Sequence, residues 1–324
     1  MCTAISYRSQ DHYFGRTLDL EFSYGEQVVI TPRNRVFHLK NGTEFRNTYA
    51  LIGMATVMGD YPLYYEAANE AGLAGAGLNF VGNAVYQPPK EGMDNITPFE
   101  LLPWILGQAT SVAEVRKLFA NLNISNQPFS EQVPLAQLHF MFSDKAESIV
   151  VESMADGIKV YDNPYHVMTN NPPFAYHRCN MDNYLNLSPK NGGNQFSSQY
   201  QLSNYGVGMG ALGLPGDVSS SSRFVRAAFN LTNAVQENTE AGCVTQFFHI
   251  MDSVSMMKGP TLTDDGKYDI TQYTSCINVD QGVYYYKTYG NNRITAISLK
   301  HADLDSENLT VFPLRKEQEI YFEN

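Results

Sequence analysis

The sequence predicts an α+β fold, and three observations carry that reading. Strand-like segments cluster, helix-like segments come in pairs, and no regular strand–helix alternation marks a doubly wound sheet. The order along the chain is strands, two helices, strands, two helices, strands. With 324 residues, 43% hydrophobic and 17% charged, the chain has the composition of a globular protein with a substantial core. Length alone allows one large domain or two ordinary ones. No internal repeat and no separable linker appears, so residues 1–324 are read as a single domain.

TAISYRS and HYFGRTLDLEF are rich in β-branched and aromatic residues and read as a hairpin around the polar SQDH turn. QVVITP is a third strand, closed by Pro32. YALIGMATVM reads as a buried strand, and YYEAANEAGLAGAGLNF as a strand pair turning at Asn69-Glu70-Ala71-Gly72. TPFELLPWILGQA, Thr97 to Ala109, predicts an apolar helix. Thr97 suits the N-cap, Pro98 the first helical position and Glu100 a capping box. SVAEVRKLFANL follows as a second helix, with Ser111 and Glu114 in the same pattern. LHFMFSD and ESIVVESMADGIKVYD are strands, and Asp156-Gly157 is the strongest hairpin-turn signal in the chain. YHVMTN is a strand ending in Asn170. Residues 187–217, rich in Asn, Ser, Gly and Gln, read as long loops. SSSSRFVRAAFNLTNA is a serine-capped helix and VTQFFHIMDSVSMM an amphipathic one. GVYYYKTY and RITAISL are closing strands.

A formal net charge of -11 supplies no basic footprint for nucleic acid. An anionic substrate would need local cations. The four cysteines, Cys2, Cys179, Cys243 and Cys276, show no metal-ligand spacing, and the last three read as reduced thiols. No charged-then-apolar leader opens the chain and no apolar run is long enough to span a bilayer, so a cytoplasmic protein without a membrane partner is expected. GxSxG, HExxH and GxxxxGK[ST] are absent, and GMGALG lacks the strand–helix context of a dinucleotide loop.

What remains for chemistry begins at MCTAIS. A small second residue generally lets the initiator methionine be trimmed, which would leave a thiol and a free α-amine on Cys2. Their intrinsic pKa values, about 8.5 and about 8, let one act as base for the other near neutral pH. FGRTLD puts Arg16 and Asp19 in the neighbouring strand. A spacing of three places them on opposite faces of a regular strand, so a turn or bulge near Leu18 is needed for both to reach Cys2. They are either an ordinary surface pair or the supporting groups of the thiol and amine, with Arg16 favouring thiolate and Asp19 orienting the amine. Asn79 in GLNF and Asn170 in MTNNPP serve either as backbone caps and turn formers or as oxyanion donors. Arg223 in SSRFVR is either an amphipathic-face residue or an inward cation needing an anionic partner.

MCTAIS, FGRTLD, NEAGLAGAGLNF, TNNPPF and GLPGDVSSSSRFVRAAF occur in the order of the signature segments of the choloylglycine hydrolases, which the chain resembles along essentially its whole length. These are bile salt hydrolases and penicillin V acylases. The resemblance implies a four-layer αββα sandwich of the N-terminal nucleophile type, hydrolysing amides with no metal and no cofactor. It implies Cys2 as nucleophile, Arg16 and Asp19 as its supporting pair, Asn79 and Asn170 at the oxyanion site, and Arg223 completing the set. Asn79 resembles the bile salt hydrolases, where penicillin V acylases carry Tyr. The implied reaction is cleavage of glycine- or taurine-conjugated bile salts through a thioester, with Leu18, Phe80, Leu135 and Leu138 as candidate pocket walls. Gly206-Val207-Gly208 leans by resemblance to glycine conjugates, and a homotetramer is implied. Rival readings are a penicillin V acylase and a non-catalytic binding protein. A class II glutamine amidotransferase typically reads Met-Cys-Gly and carries a synthase domain, against Thr3 and no spare length here.

Overall fold

The structure is a computed structural model describing residues 1–324. In chain order its main strands are β1 (Cys2–Arg8), β2 (His12–Leu20), β3 (Gln27–Thr31), β4 (Leu51–Met58), β5 (Tyr61–Asn69) and β6 (Ala74–Asn79). Helices α1 (Leu101–Leu106) and α2 (Val112–Phe119) follow, then β7 (Leu138–Ser143), β8 (Ser148–Met154), β9 (Gly157–Asp162) and β10 (Val167–Met168). Helices α3 (Phe174–Met181), α4 (Ser220–Asn233) and α5 (Glu240–Asp252) precede β11 (Ile270–Asn278), β12 (Val283–Thr288), β13 (Asn291–Ser298) and β14 (Thr310–Pro313).

Two antiparallel sheets face each other. One has the order β10-β1-β2-β11-β12-β13 and the other β9-β8-β7-β6-β5-β4-β3-β14. A 38-residue apolar cluster fills the space between the sheets and reaches under α4 and α5. A second cluster of 25 residues lies between the larger sheet and α1 and α2. The layers are therefore helix, sheet, sheet, helix, the αββα sandwich. No helix is long and apolar enough to cross a membrane.

Several predicted elements change length. The helix expected over Thr97 to Ala109 is only Leu101–Leu106. The Glu100 carboxylate accepts from Thr97 N at 2.9 Å, Thr97 Oγ1 at 2.8 Å and Lys40 N at 2.7 Å, which fixes a turn ahead of the helix. At the far end the Gly107 carbonyl accepts from Thr48 N, so the chain leaves the helical path. In α2 Ser111 caps Glu114 N as expected, while the Glu114 carboxylate turns back to Thr110. The strand expected to end at Asn170 stops at Met168, because Asn170 N donates to Ser220 Oγ at 2.9 Å instead of to the sheet. The helix expected from Val244 starts at Glu240 under a Thr239 cap. The sequence reading missed β11 altogether. This strand sits at the centre of the smaller sheet, yet its Thr, Gln, Ser and Asn residues disguise it as a polar stretch.

Candidate active site

The β1–β2 hairpin sets the geometry. Cys2 pairs with Leu18 and Ala4 with Arg16, so these four side chains share one face. That face looks into the gap between the sheets, since Arg16 Nη1 donates to Gly77 O at 2.7 Å and to Tyr65 O at 3.3 Å on the larger sheet. Arg16 Nη2 donates to Cys2 Sγ at 2.6 Å. Cys2 and Arg16 are each 1% exposed. Burial acts to lower the Arg16 pKa, but the neighbouring Cys2, Tyr273, Glu66 and Asp19 outweigh it and hold the guanidinium firmly charged. A cation thus stands where a thiolate would form.

The opposite face of the hairpin carries Thr3, Thr17 and Asp19 and looks toward α4. Arg223 reaches in from that helix. Its Nη1 donates to Cys2 O at 2.5 Å and Thr3 Oγ1 at 2.6 Å, and its Nη2 to Asn170 Oδ1 at 2.9 Å. The arginine that the sequence left open between a surface face and an inward position is fully buried. Burial pulls its pKa down, with Asp19 and Cys2 opposing.

No turn in β2 brings Arg16 and Asp19 together, which corrects the expected bulge near Leu18. The extra residue is in the neighbouring strand, where Thr271 pairs with Asp19 and Tyr273 with Leu18, leaving Gln272 between them. The two side chains stay on opposite faces, and the end of β1 is approached from both. The Asp19 carboxylate accepts from Thr17 Oγ1 at 3.0 Å and Thr271 Oγ1 at 2.7 Å. Burial raises its pKa, while Arg223, the N-terminal charge and the two hydroxyls pull it back. The acceptor on Cys2 N, here the peptide nitrogen that follows Met1, is Asn170 Oδ1, at 2.7 Å. Asn170 Nδ2 donates to Asn79 O at 2.8 Å, so one of its two amide hydrogens is already engaged. The Asn79 side chain is half-buried and has no protein partner. Met1 extends β1 by one residue: its carbonyl accepts from Asp19 N and its amine pairs with Asp269 at 3.2 Å.

A cavity of about 710 Å³ opens over the thiol. Cys2, Arg16 and Asn79 line it together with Leu18, Leu135 and Leu138, and most of the other lining side chains are apolar. Phe80 is not a wall. It is fully buried with its ring stacked on His139, centroids 4.4 Å apart. Walls that the sequence did not suggest come from Leu20, the β4–β5 hairpin (Val57, Met58, Leu63) and the segment around Phe129 and Val133. Supporting residues were missed as well. Glu66, in the apolar run YYEAA, and His139, in LHFMF, are both buried. The signal for each was a charged or titratable residue inside an otherwise apolar strand. His139 Nε2 donates to Thr169 O at 2.8 Å and His177 Nε2 to Asn170 O at 3.0 Å, which fixes the backbone that presents Asn170. No three His, Cys, Asp or Glu side chains converge to hold a metal ion.

The model of the family described as linear amide C–N hydrolases, choloylglycine hydrolase family, matches residues 2–312. The chain is 51% identical over 324 residues to a bile salt hydrolase/transferase of Lactiplantibacillus plantarum, covering 100% of both chains. A crystal structure of a variant of the conjugated bile acid hydrolase from Clostridium perfringens superposes with a TM-score of 0.92 at 37% identity, again over 100% of both chains. Penicillin V acylase from Agrobacterium tumefaciens has the same fold, with a TM-score of 0.77 at 21% identity over 97% of this chain and 92% of that one.

Proposed function

The chain belongs to the choloylglycine hydrolase family of linear amide C–N hydrolases, and from that premise we propose that it cleaves the amide bond of glycine- or taurine-conjugated bile salts with Cys2 as an N-terminal nucleophile. One observation carries the reading: the Cys2 sulfur lies 2.6 Å from a buried guanidinium, at the wall of a mainly apolar cavity. A steroid offers few hydrogen-bonding groups and needs such a surface.

In the proposed mechanism, removal of Met1 frees the Cys2 α-amine, which keeps Asn170 Oδ1 as its acceptor. The amine takes the thiol proton, and the sulfur, beside Arg16, attacks the amide carbonyl. The Asn79 side-chain amide is the free donor for the resulting oxyanion, and such a donor lowers the barrier by about 3–4 kcal/mol. The protonated amine passes its proton to the leaving nitrogen as the C–N bond breaks. Glycine or taurine departs and a thioester remains. Water, deprotonated by the same amine, then releases the bile acid, so that one hard step becomes two easier ones. Asn170 and Arg223 orient the N-terminal residue, and Asp19 balances Arg223. The reading treats residues 1–324 as one domain. Family resemblance extends it to a cytoplasmic homotetramer, which light scattering on the purified protein tests.

Intact mass and turnover on one sample test the whole reading. Met1 is expected to be absent and conjugates to be cleaved, glycine ahead of taurine. Cleavage of penicillin V alone would move the chain to the acylase branch, and an active enzyme retaining Met1 would end the amine mechanism. Cys2→Ser and Cys2→Ala are expected to keep the fold and lose turnover.

A further inference from the structure

A buried arginine beside a thiol needs something to hold it. The carboxylate within ion-pairing reach of Arg16 is Glu66, on β5, with Oε2 3.9 Å from Arg16 Nε. Glu66 is completely buried. Two tyrosines from the smaller sheet donate to it across the gap: Tyr273 OH to Oε2 at 2.7 Å and Tyr284 OH to Oε1 at 2.5 Å. Burial raises the Glu66 pKa, while the Arg16 charge and the Tyr284 and Tyr273 hydroxyls pull it back. The tyrosines also use the lone pairs that a bidentate pair with Arg16 would take. Arg16 is therefore attracted but not captured, and its Nη2 stays on the sulfur.

We propose that Glu66, clamped by Tyr273 and Tyr284, is a positioning residue that sets how strongly Arg16 polarises the Cys2 sulfur. The inference rests on Cys2 being the nucleophile. The charged and titratable groups facing the thiol and its arginine are Asp19 on β2, Glu66 and Tyr65 on β5, Tyr273 on β11, Tyr284 on β12, Arg223 on α4, Asp269 ahead of β11 and the N-terminal amine. Among the carboxylates, Glu66 alone lies within ion-pair distance of Arg16. Neutralising it leaves the guanidinium charge uncompensated at the sulfur and favours thiolate.

The test is the rate of Cys2 alkylation by iodoacetamide in the folded, full-length protein, followed by peptide mass from about pH 5 to about pH 9. Glu66→Gln is nearly isosteric and can keep both tyrosine contacts. Its half-maximal rate is expected at lower pH by on the order of one unit, with Glu66→Asp restoring most of the native profile. Tyr273→Phe frees a carboxylate oxygen to draw Arg16 off the sulfur, so its profile is expected to move to higher pH. This variant also serves if Glu66→Gln does not fold. Profiles that coincide with the native one in folded variants would overturn the proposal and leave the nucleophile in place. A Cys2 that is inert in the native protein would overturn both.

Discussion

The β1–β2 hairpin carries two buried polar knots, one at each end. At the open end, Cys2 Sγ meets Arg16 at 2.6 Å beside a cavity of about 710 Å³. At the other end, Ser6 Oγ lies 3.0 Å from His12 Nε2, with Ser143 bridging to Ser6 at 2.8 Å and to Ser148 at 2.8 Å. Arg8 covers that cluster, its Nη2 donating to the Asp144 carbonyl at 2.8 Å and to both serines of the larger sheet. By distance alone a serine beside a histidine resembles a nucleophile and its base. Ser6 and His12 are nevertheless 1% and 0% exposed, and neither lines the cavity. Burial first, then the charge of Arg8, pushes His12 from 6.5 to about 3. The sealed knot pins the two sheets together. Reactive atoms at hydrogen-bond distance are common to both ends, and access is what separates them.

The largest expected effect breaks the symmetry outright. Cys2→Ala lowers kcat by at least about a thousandfold, whereas Ser6→Ala leaves kcat within about twofold and costs roughly 1–3 kcal/mol of stability by orphaning buried partners. Conjugate turnover and urea unfolding on the same two variants decide it, and a Ser6→Ala enzyme that is folded but dead would erase the distinction.

The arginines sharpen the contrast. Arg16→Lys removes the forked donors that reach Gly77 O and Cys2 Sγ together, and kcat/KM is expected to fall by on the order of a hundredfold. Arg8→Lys at the sealed end is expected to lower the melting temperature and leave kcat/KM unchanged.

Acid acts on the buried and half-buried histidines, two of them at the sealed end, where His166 Nδ1 lies 3.0 Å from Ser148 Oγ. His12 and His166, pushed down to about 3 and about 4 mainly by burial, are neutral in the folded protein. Unfolding returns each to an ordinary value near 6.5, so the unfolded chain binds more protons at acid pH. Their contribution to stability is complete above about pH 6.5 and is lost progressively as pH falls toward the folded values. Replacing His12 by Gln is therefore expected to flatten the acid limb, by on the order of 2 kcal/mol between about pH 6.5 and about pH 4.5. Urea titrations at the two pH values measure it, and an unaltered slope would show that His12 is not among the groups responsible.

The smallest effect concerns access itself. Leu18, paired with Cys2, is a cavity wall, and Leu18→Ala is expected to raise KM a few-fold with kcat nearly unchanged. A drop in kcat alone would mean that Leu18 positions the thiol instead of the substrate.

Sequence patterning carries local features well. The first hairpin, the Asp156-Gly157 turn and the cap of α2 depend on contacts within a few residues, and each is found where its local signal stands. Features that depend on remote partners were hidden. The helix after Thr97 is cut short by Lys40 and Thr48 contacts, and β11 is a strand because β2 and β12 flank it on both sides. The candidate site divides the same way. Cys2, Arg16, Asp19, Asn79, Asn170 and Arg223 could be singled out as residues, but not assigned to faces.

By itself the sequence determined the α+β class and the order of most elements, and it singled out the polar residues that gather around Cys2. Only the tertiary structure decided that Asn170 accepts from the Cys2 peptide nitrogen, that Phe80 stacks on His139 away from the cavity, and that Glu66 stands behind Arg16. The physical reason is range. Propensity, capping and alternation act over a few residues, whereas a hydrogen bond between residues 2 and 170, or an ion pair between residues 16 and 66, exists only once two sheets have closed on each other.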